Sequence, residues 1–258
     1  MKNAFLTGAM ISCLSMTALP AMASDTLRIG TEGAYPPFNY YTADGQLAGF
    51  DIDIGKALCE AMQRDCEFVA QDWDGIIPAL LANKYDVVLA SMFITEARKQ
   101  QVAFSDPYQA SAMTFVADKY AGITDVSPAA MKGKIIGVQG STTQAEFVTA
   151  NYPDAEVRFY PTQDAVNLDL ASGRIDLQAG DIMPMTDWLS SSEGACCERV
   201  GEMITDPTYV GEGVGMAMRQ EDVALREQIN KALATIIADG RYQKINSQYF
   251  SLNLLTLK

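Results

Sequence analysis

The stretch Ala90-Ser91-Met92-Phe93-Ile94-Thr95-Glu96-Ala97-Arg98-Lys99-Gln100 decides how this chain is read. It is entered from Tyr85-Asp86-Val87-Val88-Leu89 and followed by Phe104-Ser105-Asp106-Pro107-Tyr108. Residues 85–89 have the apolar, mostly β-branched composition of a short buried strand. Ala90 and Ser91 are small and leave the backbone unshielded. Thr95 is placed to cap a helical turn over 96–100. A strand end that meets a helix N-terminus offers N–H groups and a favourable dipole to an anion. Arg98 adds a planar fork suited to a carboxylate. Taken alone, this is a strand-to-helix turn with a surface arginine. The neighbouring segments change that reading.

Upstream, Thr26–Thr31 reads as a first strand, and residues 32–38 as a loop stiffened by Pro36 and Pro37 that fixes Glu32 and Tyr35 at the strand's end. Gly49–Ile54 leads into a helix over Gly55–Met62. Cys66–Ala70 is the next strand, and Trp73 sits just before a helix over Gly75–Asn83. Strand–helix–strand–helix–strand is a parallel α/β unit, and such sheets bind ligands beyond the carboxyl ends of their strands. Glu32, Tyr35, Trp73, Ser91 and Arg98 all fall on those ends. Downstream, Ser111–Ala117 is an extended stretch leaving this unit, and a second α/β pattern follows. Its strand Ile135–Val138 runs into Gln139-Gly140-Ser141-Thr142-Thr143 and a helix over Gln144–Tyr152. Val157–Tyr160 is another strand and Thr162–Ser172 another helix. Gly173–Asp181 then repeats the pattern of Lys84–Ser91. Gly213–Met218 is an apolar strand leading back to the first unit. Glu221–Asp239 is an amphipathic helix closed by Gly240, and Tyr242–Tyr249 supplies a last helix.

Composition narrows the function. The formal charge is −13 with no histidine in 258 residues. An acidic chain lacks the basic face that nucleic acid needs, and the missing histidine removes Ser-His-Asp, Cys-His and His–zinc sites. Gly211-Glu212-Gly213-Val214-Gly215 lacks the spacing of a dinucleotide fingerprint. Met1–Ala23 reads as a secretory signal: Lys2, an apolar run over Ala4–Leu19, and Ala21-Met22-Ala23 before cleavage at Ser24. The apolar run continues past Cys13, which argues against a lipid-anchored start. Export permits disulfides. Cys59 and Cys66 close a short loop between a helix end and the next strand, and a bond is expected there. For Cys196-Cys197 a vicinal disulfide, two free thiols and a labile redox pair all remain open.

The segments Gly49-Phe50-Asp51-Ile52-Asp53, Ile94-Thr95-Glu96-Ala97-Arg98, Phe104-Ser105-Asp106-Pro107-Tyr108, Val138-Gln139-Gly140-Ser141-Thr142 and Asp239-Gly240-Arg241-Tyr242, in this order, resemble the periplasmic solute-binding proteins of ABC importers. The resemblance spans about Thr26–Phe250 and points to the branch that binds polar and basic amino acids, with the lysine/arginine/ornithine, histidine, octopine and nopaline receptors most alike. It implies an α/β, two-lobed periplasmic-binding-protein fold of type II, with two mixed sheets, flanking helices and a two-segment hinge. Lobe one would take residues 24–112 and 209–258, and lobe two 113–208, with crossings near Ser111–Thr114 and Asp206–Gly211. A monomer that closes on its ligand and docks on a membrane permease is implied, with no catalytic residue, cofactor or metal.

The resemblance also assigns roles. Arg98 would clamp the ligand's α-carboxylate, helped by N–H groups at Ser91 and Thr142, and Asp181 would pair with its α-ammonium. Tyr35 and Trp73 would sandwich the side chain, and Glu32 would face the distal charge. Ala90, Met92, Phe93, Val138 and Ser141 complete the expected ligand-binding set. Phe93 departs from the family, which usually carries a serine or threonine there. Glu32 with Trp73 and Ala90-Ser91-Met92 leans towards the opine receptors, whereas Asp181 argues for a free ammonium. The resulting order is arginine or a related basic amino acid, then an opine, then another polar amino acid. A receptor serving a membrane sensor would present the same pocket. Some exported dehydratases acting on prephenate-like acids share the fold; Glu32 would be their general acid, but prephenate lacks the ammonium that Asp181 would meet.

Overall fold

A computed structural model describes residues 26–110 and 112–256. The signal segment, Met1–Ala23, and Ser111 of the first crossing lie outside the described residues. The elements run β1 (Leu27–Thr31), β2 (Ala34–Tyr35), β3 (Asn39–Tyr41), β4 (Leu47–Ala48), α1 (Phe50–Met62), β5 (Cys66–Ala70), α2 (Ile76–Leu81), β6 (Val87–Val88), α3 (Glu96–Lys99) and β7 (Ala103–Phe104). Then come β8 (Met113–Asp118), β9 (Ile135–Gln139), α4 (Thr143–Asn151), β10 (Glu156–Tyr160), α5 (Gln163–Ala171), β11 (Leu177–Asp181), α6 (Ile182–Ser190) and β12 (Cys197–Ile204). The chain ends with α7 (Pro207–Val210), β13 (Ala217–Met218), α8 (Val223–Ala238) and α9 (Arg241–Tyr249).

Two five-stranded sheets carry the molecule, in the orders β5-β1-β6-β13-β7 and β10-β9-β11-β8-β12. In the first, β1 pairs parallel with β5 and β6, while β13 is antiparallel to its neighbours. In the second, β9 pairs parallel with β10 and β11, while β8 is antiparallel to its neighbours. Both sheets are therefore mixed, and in both the chain steps to opposite sides of one central strand. That step is the place where parallel sheets open a crevice at their carboxyl ends.

Each sheet has its own apolar filling. Phe50, at the first turn of α1, is fully buried among edge-on rings, with Phe250 at 5.5 Å, Tyr242 at 5.8 Å and Phe38 at 5.9 Å. These rings pack α1 against α9, and Ile229 and Leu233 of α8 and Leu27 and Ile29 of β1 join the same buried cluster. The second sheet is covered by Phe115, Ile136, Val138, Val148 and Leu177 on one side, and by Val116, Val166, Leu170 and Met185 among its other buried residues. Burying such side chains contributes about 1.5–3 kcal/mol each.

Two local outcomes differ from the sequence reading, and a third settles a choice it left open. Helix α1 starts at Phe50 rather than Gly55: Gly49, with φ 122°, turns the chain, and Asp51 and Asp53 occupy the first turn, where the helix dipole favours acids. Helix α6 and strand β12 had no counterpart. The two cysteine pairs, Cys59–Cys66 and Cys196–Cys197, are both bonded, with Cα atoms 6.0 and 3.8 Å apart. The first bond is the expected one; the second selects the vicinal disulfide from the open alternatives.

The stretch 211–216 threads between the loop after β6 and the segment after β7. Ile94 N–H donates to Gly213 O at 2.9 Å, Glu212 N–H to Ile94 O at 3.1 Å and Val214 N–H to Gln109 O at 2.9 Å. Gly211 has φ 63° and ψ −144°, a conformation open to glycine, and an added Cβ would lie 1.8 Å from Ile94 O. Gly211→Ala should therefore cost on the order of 3 kcal/mol, measured as a lowered urea midpoint. Stability within 0.5 kcal/mol or so of the parent would contradict this account of Gly211.

Candidate ligand-binding site

The carboxyl ends of the two sheets face each other and are drawn together by three hydrogen bonds. Trp73 Nε1 donates to Ser141 O at 2.9 Å, Tyr35 OH to Asp181 Oδ2 at 2.6 Å, and Gln139 Nε2 to Glu32 Oε1 at 2.6 Å. Between them lies a closed cleft lined by Glu32, Tyr35, Trp73, Ala90, Ser91, Phe93, Arg98, Gln139, Thr142 and Asp181, with Thr143, Gln144 and Gln163 completing the wall. Its volume is about 20 Å³, room for roughly one water. An amino acid can enter only if the two halves part.

Arg98 stands on the short helix α3, fixed by Thr95, whose Oγ1 accepts from Arg98 N–H at 3.4 Å. The residue keeps some surface, but its guanidinium is enclosed: Nη1 donates to Phe93 O at 3.0 Å, and Cζ lies 5.4 Å from the Trp73 ring centre. Burial lowers its pKa to about 10, against the pull of Glu146 and Asp181, so it stays charged at neutral pH. A cation over an indole face is a favourable, partly desolvated contact.

Two acids share the cleft. Asp181 ends β11, where Tyr35 donates to one oxygen and Gln144 Nε2 to the other. Burial raises its pKa to about 7, although the Tyr35 bond, the Arg98 charge and the Gln144 bond oppose the shift. Glu32 follows β1 and is also raised to about 7, first by burial and further by Asp164, Asp72 and Asp74, with Gln139 pulling the other way. An enclosed carboxylate whose charge is so poorly met is poised for a cation.

Asp51 is a third buried acid, behind the cleft. It accepts from Tyr108 OH at 2.8 Å, Asn39 Nδ2 at 2.9 Å and Ser91 Oγ at 3.1 Å, and burial raises it to about 6. Ser91, at φ 50°, is pinned by this group. Its N–H donates to Tyr108 Oη at 3.2 Å, so the expectation that it points at a ligand carboxylate is not met in this closed arrangement. Thr142 caps the nine-residue helix α4: its Oγ1 accepts from Ala145 N–H at 3.1 Å and donates to Gln139 O at 2.7 Å.

Of the residues singled out in the sequence, Glu32, Tyr35, Trp73, Ala90, Ser91, Phe93, Arg98, Thr142 and Asp181 come together at this cleft. Met92 and Val138 do not line it; both are fully buried, Met92 beside Ile76 and Tyr85 and Val138 in the second sheet's core. Ser141, at φ 56°, lies outside the lining and reaches the cleft through its carbonyl, the acceptor for Trp73. Sequence reasoning missed Gln139, Thr143, Gln144 and Gln163. The alternation of β9 held the signal for one of them. With Val138 turned into the core, the next residue, Gln139, must face the other way.

Residues 27–252 match the bacterial extracellular solute-binding proteins, family 3, and the chain belongs to that family. It is 42% identical to the L-arginine-binding protein of Pseudomonas aeruginosa over 98% of each chain. A Salmonella typhimurium periplasmic binding protein described by its high arginine specificity superposes with a TM-score of 0.81 at 33% identity, covering 88% of this chain and 99% of that one. An ancestral amino acid-binding protein, precursor of cyclohexadienyl dehydratase, superposes at 0.79 with 31% identity, covering 88% and 96%.

The raised acids fix a sign for stability against pH. A carboxyl whose folded pKa lies above its unfolded one stabilises the fold fully below the unfolded value, and that contribution fades as pH rises through the folded value. For Asp51, at about 6, and Glu32 and Asp181, at about 7, the window is their own. The ligand-free protein should lose urea stability between about pH 4 and pH 7, from the ordinary carboxylate range up to the raised values, and Asp181→Asn should flatten that slope. A midpoint that rises with pH over this range would contradict the burial of these charges.

Proposed function

We propose that this protein is the periplasmic receptor of an ABC amino-acid importer that captures a basic amino acid, arginine foremost. One observation carries the choice of ligand: the cleft holds two enclosed acids, Glu32 and Asp181, and one enclosed base, Arg98. A basic amino acid brings two positive charges and one negative, so every charge finds an opposite partner. On this reading Arg98 takes the α-carboxylate, Asp181 the α-ammonium and Glu32 the distal cation, with Tyr35 and Trp73 against the aliphatic part. The arginine-binding relatives support that order.

The two lobes are taken as 24–112 with 209–258, and 113–208. Ligand would favour the closed form by contacting both, a population shift set by its differential affinity. The hydrogen bonds that Gln139 and Gln144 make to the two acids would then give way to the ligand's own groups. The closed receptor delivers its ligand to the membrane permease.

Glu32 raised to about 7 would also suit a general acid. The binding reading is preferred because an enzyme acting on a substrate without an ammonium leaves Asp181 buried and unmatched. Arginine held with saturating protein should therefore be recovered unchanged, as read by proton NMR; conversion of arginine or of a prephenate-like acid would sink the receptor reading.

Calorimetry on unfolded-and-refolded, ligand-stripped protein tests the roles. Arg98→Ala should weaken arginine binding by about 100-fold or more, the loss of a charge-assisted bidentate partner. Glu32→Gln should weaken arginine about tenfold or more while changing the affinity of citrulline, its neutral isostere, little. Equal losses for arginine and citrulline would make Glu32 a structural acid, and retained arginine affinity in Arg98→Ala would remove the clamp.

A further inference from the structure

Phe93 and Asp181 wall a second, smaller cavity as well as the cleft, and Phe38, Gln109, Ile182 and Val214 help close it. It measures about 10 Å³, roughly the room of a single water. Gln109 is 6% exposed, and its Oε1 is buried with no hydrogen-bond partner among the described residues. Its Nε2 lies 3.4 Å from Ser91 Oγ.

Proton counting fixes which end of this amide faces which neighbour. Ser91 Oγ carries one proton, and that proton goes to Asp51 Oδ2 at 3.1 Å. Ser91 can therefore only accept from Gln109, so the amide must present its NH₂ there. The carbonyl is the end left to find a donor, beside a cavity that also holds Asp181. The Asp181 carboxylate offers about four lone-pair positions. Tyr35 and Gln144 use one on each oxygen, and two are left.

We propose that this cavity is a built water site, in which one water donates to Gln109 Oε1 and to the Asp181 carboxylate and so makes Gln109 a positioning residue for the ligand's α-ammonium. The ligand group named here rests on the function proposed above. A water is able to donate to both acceptors at once, and the site is polar and of the right size. The resulting chain Asp51–Ser91–Gln109–water–Asp181 joins the two sheets through the segment that crosses between them. It holds the carboxylate so that its last lone-pair position faces the cleft. It also brings a polar contact to a wall where the Phe93 side chain can give none.

A crystal structure of the wild-type protein at high resolution, together with calorimetry on Gln109→Met, tests this. The expected density is one ordered water within hydrogen-bond distance of Gln109 Oε1 and an Asp181 oxygen. Gln109→Met keeps the length of the side chain and removes the carbonyl. It should weaken arginine about tenfold, the worth of one charged-group hydrogen bond. It should leave deaminoarginine, which has the guanidinium and carboxylate but no α-ammonium, at its wild-type affinity. An unhydrated cavity overturns the proposal, as does an unchanged arginine affinity. Equal losses for both ligands would make Gln109 a packing residue. If the wild type binds neither ligand, the functional reading falls, and the water density alone decides this inference.

Discussion

The buried carboxylate of Asp181 is the constraint on which the site depends. It closes β11 at the point where the second sheet meets the first, and burial holds its pKa near 7 despite two hydrogen bonds and the Arg98 charge. An acid in that position is a liability for a folded protein that carries it for no ligand. Glu32 repeats the situation from the other sheet, with Gln139 as its direct partner. The two acids of the cleft are met by neutral donors, Tyr35 and Gln144 at Asp181 and Gln139 at Glu32. On the proposed function, such a cleft selects its ligand by charge before it selects by shape.

The fold places these groups because it uses one topology twice. A central strand with its crossovers stepping to either side opens a crevice at the carboxyl end, and facing two such crevices produces a cleft with a charged group from each wall. The antiparallel strands β13 and β8 carry the chain back and across. Residues 211–216 are threaded beside Phe93 and Ile94 on one side and Gln109 on the other, next to the loop that carries Arg98. Movement of this segment would be felt where Arg98 is anchored, because Val214 pairs with Phe93 and the Phe93 carbonyl holds the guanidinium.

Much of this was legible in the sequence. Thr95 as an N-cap, Arg98 one turn into its helix and acids at strand ends follow from local chemistry, and the structure places them as read. Helix α6 was not legible because it starts directly after Asp181 with Ile182-Met183-Pro184, without a side-chain cap to announce it. Strand β12 is an edge strand whose buried positions fall at Cys197 and Val200, which breaks the period of two. The glutamines escaped notice for a different reason. An amide has no charge to announce it, so Gln139 and Gln144 gain meaning only from Glu32 and Asp181, 107 and 37 residues away, and Gln163 from the amides of Asn167 and Gln178. Asp51 was read as part of a motif, but its role as the anchor of Ser91 and Tyr108 depends on a contact across forty residues or more.

A crystal structure of the protein with L-arginine bound tests the central claim most directly. The account predicts the α-carboxylate on Arg98, the α-ammonium on Asp181 and the guanidinium within hydrogen-bond distance of Glu32, with Gln144 and Gln139 moved off the two acids. Arginine bound with its carboxylate away from Arg98, or with its guanidinium turned from Glu32 into solvent, would contradict it.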